Sequence, residues 1–415
     1  MRLVFVNNIH PDTPHVSGTR LSYFAREMAL CGHEVVLVTG VPPNGQPARG
    51  PGTTLDQQLG CHDWSRPMIL GVAPRPSWSL EAIRGATVPP LLRRGLTAWN
   101  FVAHGGVFGD WTRAAAPVGA RLAEVFRPDV VWATFGNTSN LALAQGIARR
   151  CGCLWVADVK DNWEAFVPVG LQRLMARRFR DAAGVTSNAA HHLDIASRWL
   201  DSSRSRVVYS GVAEEFFAAD DRVTAVSGRV DLLLIGSTYS AEQLEDFLTA
   251  LRGWLIRLAP EDRSRVRFVY AGSDHERVAA TVSLTEWPCE RRIYAHLPIA
   301  DLAHLASHAF ANCYLWSPST FHHKLLELLV VGRPVVAFSG EHEESRSLAS
   351  QCATPFSACE NAQALQVALE RAWADRDRSP TRKPSSPAWH WSDFAVGLEQ
   401  FFLDVAGRPA VAHAT

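Results

Sequence analysis

Ser319-Thr320-Phe321-His322-His323-Lys324-Leu325-Leu326-Glu327-Leu328-Leu329-Val330-Val331-Gly332-Arg333-Pro334-Val335-Val336-Ala337-Phe338 carries two signals in succession. The first is a helix, opened by hydroxyl side chains suited to capping and stopped by Gly332. The second is a buried strand, which begins at once because Pro334 blocks any continuation of the helix. At about 100° per residue, Thr320, His323, Lys324 and Glu327 share one face, and Leu325, Leu326 and Leu329 lie opposite. A helix start with unpaired N–H groups, a macrodipole, hydroxyls and a lysine suits a phosphate. Glu327, one turn further in, cannot bind phosphate but can accept hydrogen bonds from paired sugar hydroxyls. Together these chemistries fit a nucleotide. The structural alternative is a solvated Lys324–Glu327 ion pair on an ordinary amphipathic helix, and the helix alone does not choose.

Outward from this stretch, strands and helices alternate along most of the chain. Residues 3–6 predict a buried strand, 7–19 a loop, 20–30 a helix and 35–38 a second strand, the start of a doubly wound parallel sheet. The pattern loosens over 41–116. It recovers as helix 118–126, strand 129–133, helix 139–150, strand 154–157, helix 171–183, strand 184–187, helix 191–200 and strand 206–209. Ser210-Gly211-Val212 reads as a hinge. The alternation restarts with strand 231–235, helix 241–258, strand 266–271, strand 291–296, helix 299–306 and strand 309–315. After the opening stretch come helix 362–374, a polar, proline-rich connector over 375–388 and a last helix over 391–405. The fold class is therefore α/β, with two Rossmann-like halves facing across a cleft. The expected domains are 1–211, with an insert at 42–116, then 212–390 and a C-terminal segment 391–415. Ligands of open α/β sheets sit outside the strand carboxyl ends.

Composition narrows the function classes. The chain has 415 residues, long for one domain, and 47% of them are apolar. Lysine plus arginine number 41 and so do aspartate plus glutamate, so no global basic field recruits nucleic acid. The eight cysteines are scattered, and Cys151-Gly152-Cys153 lacks a second pair at zinc-like spacing, which favours reduced thiols over metal ligands. Met1-Arg2 runs straight into a strand rather than a signal peptide. No apolar run approaches the ~20 residues of a membrane span. These features predict a cytoplasmic protein.

Several segments, in order, resemble the retaining glycosyltransferases of the GT-B architecture, the large "glycosyl transferases group 1" family. Pro14 to Arg20 followed by Gly32-His33-Glu34-Val35 looks like the family's first loop and second strand, and Arg127-Pro128-Asp129-Val130-Val131 like its "PDVV" strand. Ser210-Gly211-Val212 with Phe216-Phe217 is similar to its inter-domain turn. His322 to Phe338 is similar to its "K-x-x-E…G-x-P-V" signature, and Trp391-Ser392 to its C-terminal segment, which in the family crosses back onto the N-terminal domain. The likeness covers most of 1–40 and 120–405.

The resemblance implies a nucleotide-diphosphate sugar in the C-terminal domain and an acceptor hydroxyl on the N-terminal domain, without a metal or other cofactor. Glu327 would bind the ribose hydroxyls. Lys324, with Ser319, Thr320 and Phe321, would bind the diphosphate, aided by Gly236, Ser237 and His323, and Gly18 would let the first loop approach. Asp158-Val159-Lys160-Asp161-Asn162-Trp163 resembles a family variant in which the second aspartate, here Asp161, lies near the anomeric carbon. Asp161 could position the acceptor, stabilise oxocarbenium charge or take a proton. His15 and Trp163 would contact the acceptor, whether carbohydrate, lipid-linked or natural product; His10 is a weaker candidate.

Three departures stand out. Ser319 occupies the position of a family glutamate, leaving donor identity open. The loop Gly236-Ser237-Thr238-Tyr239 lacks the basic residues that often clamp the diphosphate, so Lys324 carries that duty alone or with His322, His323 or Arg333. The first loop has Ser17-Gly18 rather than two glycines. His33 reads as structural. Glu341 to Glu344 reads as a solvated helix start sooner than as a contact for sugar hydroxyls. Between Trp64 and Arg113, six arginines face only Glu81 and Asp110, and four tryptophans lie among them. That mixture suits the inner face of a membrane or a lipid-linked acceptor, or a loop that simply packs. The alternatives to a transferase are an inactive scaffold or activator subunit and a sugar-nucleotide 2-epimerase, which the insert disfavours.

Overall fold

The protein is described from a computed structural model that covers residues 1–13, 15–43, 45, 54–75, 77–200, 203–218, 228–377 and 389–407. Pro14 of the first-loop motif, most of the 375–388 connector, part of the 42–116 insert and the end of the 391–415 segment lie outside these residues. The chain divides into two compact units, Met1–Ser210 with Trp391–Thr415, and Gly211–His390.

The N-terminal unit holds seven strands: β1 (Arg2–Val6), β2 (Glu34–Thr39), β3 (Met68–Gly71), β4 (Val130–Thr134), β5 (Leu154–Asp158), β6 (Gly184–Ser187) and β7 (Ser205–Val207). They form one sheet in the order β3-β2-β1-β4-β5-β6-β7, every pair parallel. The C-terminal unit holds β8 (Val230–Ile235), β9 (Val266–Ala271), β10 (Glu290–Tyr294), β11 (Ala309–Leu315), β12 (Val335–Phe338) and β13 (Phe356–Cys359). Their order is β10-β9-β8-β11-β12-β13, again parallel throughout. Both are doubly wound α/β domains, as the alternation predicts. Central strands are apolar along their whole length because helices cover both faces; all seven residues of β11 are buried.

The N-terminal core is closed on one side by the last helix, Trp391–Ala406. Trp391 stacks on Tyr23 at 4.8 Å, Phe402 meets Phe5 edge-on at 6.1 Å, and Glu399 pairs with His33 at 2.7 Å. His33 is thus a structural residue. Each buried aromatic contributes on the order of 1.5–3 kcal/mol of burial, so this helix is part of the fold rather than an appendage.

The structure adds β13 and helices His275–Ser283 and Glu343–Ser350, which the sequence reading does not give as elements, and corrects the expected elements in three further places. Helix Val16–Leu30 starts earlier than predicted, so the first loop ends at His15, whose ring accepts from Ser17 N. The irregular stretch before residue 116 contains β3 and helices Leu55–Cys61, Trp78–Arg84, Pro90–His104 and Gly109–Val125. The last of these runs through Pro117, which reads as a helix breaker. Third, the helix of the opening stretch begins at Lys324, not Ser319. Pro318 presets a turn closed by Thr320 N to Ser317 O at 3.1 Å, the geometry proline favours at the second turn position.

Candidate functional site

In each sheet the strand order reverses once, between β8 and β11 in the C-terminal unit and between β1 and β4 in the N-terminal unit. Loops leaving the carboxyl ends of such neighbours diverge and leave a crevice for ligand.

At the C-terminal switch point, the loop after β8 begins at Gly236 and the loop after β11 runs from Trp316 to His323. Gly236 has φ +92°, and a Cβ there would lie 3.2 Å from the His322 ring, so glycine lets the two loops meet. Tyr270 donates to the Gly236 carbonyl at 2.7 Å. Thr238 N donates to Asp274 at 2.9 Å, and Arg277 donates to the Thr238 hydroxyl at 3.1 Å. The basic residue missing from this loop's own sequence therefore arrives from helix His275–Ser283. Nothing near Gly236 in the sequence signals Arg277. Ser237 is exposed.

The turn preceding the helix presents Ser317 and Ser319, whose hydroxyls are 3.0 Å apart, and Thr320. Phe321 and His322 are buried, whereas His323 is half-buried at the cap. Lys324 occupies the first helical position, beside the dipole's positive end. Its Nζ lies 2.7 Å from Glu327 and 5.9 Å from the centre of the Phe216 ring. Glu327 is only 6% exposed. Burial raises its pKa and Lys324 pulls it back only in part. The pair is therefore not the solvated surface bridge of the structural alternative. A carboxylate held this deep costs free energy unless something compensates it.

His322 is enclosed between Gly236 and Tyr314, whose ring it meets edge-on at 4.1 Å. Burial, then the Lys324 charge, push its pKa down to about 3, so the ring is neutral. Arg333 is buried and bonds the Ser307 carbonyl at 2.9 Å; its guanidinium is committed there rather than to a phosphate. Glu341 is buried too, accepting from the Tyr314 hydroxyl and from His342 N at 2.7 Å. The helix behind it begins at Glu343. Glu341 is thus neither a solvated helix start nor an open acceptor.

At the N-terminal switch point, Asn137 donates to Asn8 at 2.8 Å, tying the loops after β1 and β4 together. His10 is buried and its ring accepts from Asp12 N. Gly18 lies in the first helical turn, where a Cβ would stand 2.8 Å from the His10 carbonyl; its smallness serves the packing of this loop on its own helix. After β5, Lys160 is 3% exposed and holds Asp161 at 2.6 Å. His15 feels both: desolvation and then Lys160 lower its pKa, while Asp161 opposes them. The structure thus brings Asp161, Lys160 and His15 together. It does not bring Trp163 with them. That ring is fully buried and stacked on Phe135 at 5.5 Å, so packing explains it rather than an acceptor.

Sequence reading also missed the group beneath this loop. Arg20 and Asp158 form a two-bond ion pair at 2.8 Å with both side chains essentially inaccessible. Thr186 donates to Asp158 at 2.8 Å and Arg20 to Ser210 at 3.2 Å. The partners are 138 positions apart, and no local spacing signals such a pairing.

No protein-family model matches this sequence, and no curated protein matches it by sequence. Solved structures do match by fold. Sucrose-phosphate synthase from Thermosynechococcus elongatus superposes with TM-score 0.62 at 13% identity, covering 98% of this chain and 99% of that one. HepE of Anabaena, in complex with UDP and glucose, gives 0.59 at 13% identity over 96% and 98%. A Listeria monocytogenes protein assigned as a UDP-N-acetylglucosamine 2-epimerase gives 0.57 at 11% identity over 97% and 96%. Identity this low speaks to architecture alone, and on architecture the match runs the length of the molecule: the chain has the two-domain GT-B fold.

Proposed function

We propose that the protein is a retaining glycosyltransferase that moves a hexose-type sugar from a nucleotide-diphosphate sugar to a hydroxyl acceptor without a metal ion. The observation that carries this reading is the Lys324–Glu327 pair at a helix N-terminus on the switch point of the C-terminal sheet. Glu327 accepts from the ribose hydroxyls, which compensates its burial. Lys324, the Ser319–Phe321 turn and the helix dipole hold the diphosphate, with Gly236, Ser237, Arg277 and His323 around it. UDP is the first nucleotide to try, because HepE, of like fold, was solved with UDP and glucose.

Transfer leaves negative charge on the departing diphosphate, and stabilising that charge is the main catalytic need. An ammonium, backbone N–H groups and a dipole supply this without a divalent ion. On the acceptor side, Asp161 is held by Lys160 and flanked by His15. Its contribution is one of three: positioning the acceptor, stabilising oxocarbenium charge, or taking the hydroxyl proton. The acceptor is a carbohydrate, a lipid-linked sugar or a natural product.

The test is incubation with UDP-, GDP- and dTDP-sugars while measuring nucleotide release and sugar identity. Release from one donor that persists in EDTA supports the proposal. The epimerase reading, which the Listeria neighbour shares in fold, instead requires inversion at C2 of the donor with no acceptor added. Absence of both turnover and binding across the panel would favour an inactive scaffold.

A further inference from the structure

Helix Pro90–His104 is built the wrong way round for a helix that only packs. Asn100 and Phe101 anchor it, while Leu91, Leu92, Trp99 and Val102 fall within about 100° of one another on the open side. Leu91 is 79% exposed and Trp99 62%. The segment after helix Trp163–Phe166 continues the surface. Val169 is 90% exposed, and Arg178 donates to the Val102 carbonyl at 3.0 Å, joining the two segments. Between them lies a cavity of about 660 Å³ lined by Arg93, Arg94, Thr97, Ala98 and 168–171. Single exposed apolar residues are ordinary, but a continuous stripe of them marks a binding surface.

Charge selects the occupant. Residues 85–109 and 165–180 contain Arg93, Arg94, Arg173, Arg177, Arg178 and Arg180 and no aspartate or glutamate. Arg84, at the edge, is already neutralised by Asp110 at 2.6 Å. Of the insert's four tryptophans, Trp111 is buried and Trp64 stacks on Phe126 at 5.5 Å, whereas Trp78 and Trp99 stay exposed. Tryptophan and leucine on one side, arginine alongside and no acid is the composition that lies in a lipid headgroup layer. A soluble sugar would not require the leucines, and an acidic protein partner would not require an apolar face turned fully outward. Among the described residues no helix is long and apolar enough to cross a membrane, so the contact is peripheral.

We infer that this face of the N-terminal unit docks the protein onto an anionic lipid bilayer, seating Leu91, Trp99 and Val169 among the headgroups with Arg93 and Arg94 on lipid phosphates. The inference goes beyond the donor site and does not depend on it. The experiment is co-sedimentation of the full chain with vesicles of phosphatidylcholine alone and of phosphatidylcholine mixed with phosphatidylglycerol, at low and high salt. Retention on the mixed vesicles, weakened by salt, is expected. Arg93→Gln with Arg94→Gln should weaken it roughly fivefold per arginine, the equivalent of the ~1 kcal/mol each contributes near an anionic surface. Trp99→Asp with Val169→Asp should abolish it. Both double variants should keep the parent's circular dichroism and its UDP affinity, which separates loss of docking from loss of fold or donor site. No retention of the parent, or equal retention of all three proteins, overturns the inference. So does binding to soluble poly-glutamate in place of vesicles, which would make the partner an acidic protein.

Discussion

Glu327 is an acid kept where its charge is disfavoured, with one ammonium as compensation. Its folded pKa is raised, so it holds its proton more tightly folded than unfolded, and its contribution to stability declines as pH rises through that window. Binding runs the other way, because only the carboxylate accepts from two ribose hydroxyls. UDP affinity is expected to fall as pH drops, beginning above the ordinary glutamate range, and Glu327→Gln should flatten that dependence; isothermal titration across pH checks it. His322 has the opposite sign. Its folded value is about 3 against 6.5 unfolded, so the unfolded chain takes up a proton that the folded chain refuses, and stability falls as pH falls below about 6.5. Between pH 7 and pH 5 the linkage amounts to about 2 kcal/mol. Urea denaturation of parent and His322→Gln should show a drop that is smaller by that amount in the variant; equal drops would mean that the ring titrates in place.

Among the elements, helix Val16–Leu30 is locked to the sheet by Arg20 on Asp158 at the end of β5. A buried pair adds little net stability over apolar packing, but removing one partner strands the other charge. Asp158→Ala is therefore expected to destabilise by about 3–5 kcal/mol, read as a lowered urea midpoint, whereas exposed Asp56→Ala should move it little. Legibility in the sequence follows the same physics. β9, β11 and β12 have the predicted bounds because each is a short, mostly apolar run hemmed by glycine, proline or a helix end, and β6, Gly184-Val185-Thr186-Ser187, has them although only Val185 is a large apolar residue. β3 was missed because it is a four-residue edge strand with alternating burial. The sequence places the helix start before Lys324 because the hydroxyls that look like caps belong to the turn set by Pro318. Lys324 and Glu327 could be found because three positions on a helix bring side chains together. Arg277 and the Arg20–Asp158 pair could not, because tertiary packing brings them to partners 39 and 138 positions away.

Across the whole molecule, two doubly wound sheets each supply one switch point, and each unit gathers ionisable residues on the loops beside it. In the C-terminal unit these are Lys324, Glu327 and Arg277, and in the N-terminal unit Asp161, Lys160 and His15. Outside 41–116 most of the α/β alternation is legible in the sequence, because a parallel sheet covered on both faces writes apolar strands between amphipathic helices. The most direct test of the donor site is calorimetric titration of UDP into the parent, Lys324→Ala and Glu327→Ala, with folding confirmed by circular dichroism. The parent should bind, and each variant should bind roughly 10- to 100-fold more weakly, the range for losing a hydrogen bond to a charged group. Folded variants that bind UDP as tightly as the parent would contradict the assignment of Lys324 and Glu327 to the nucleotide.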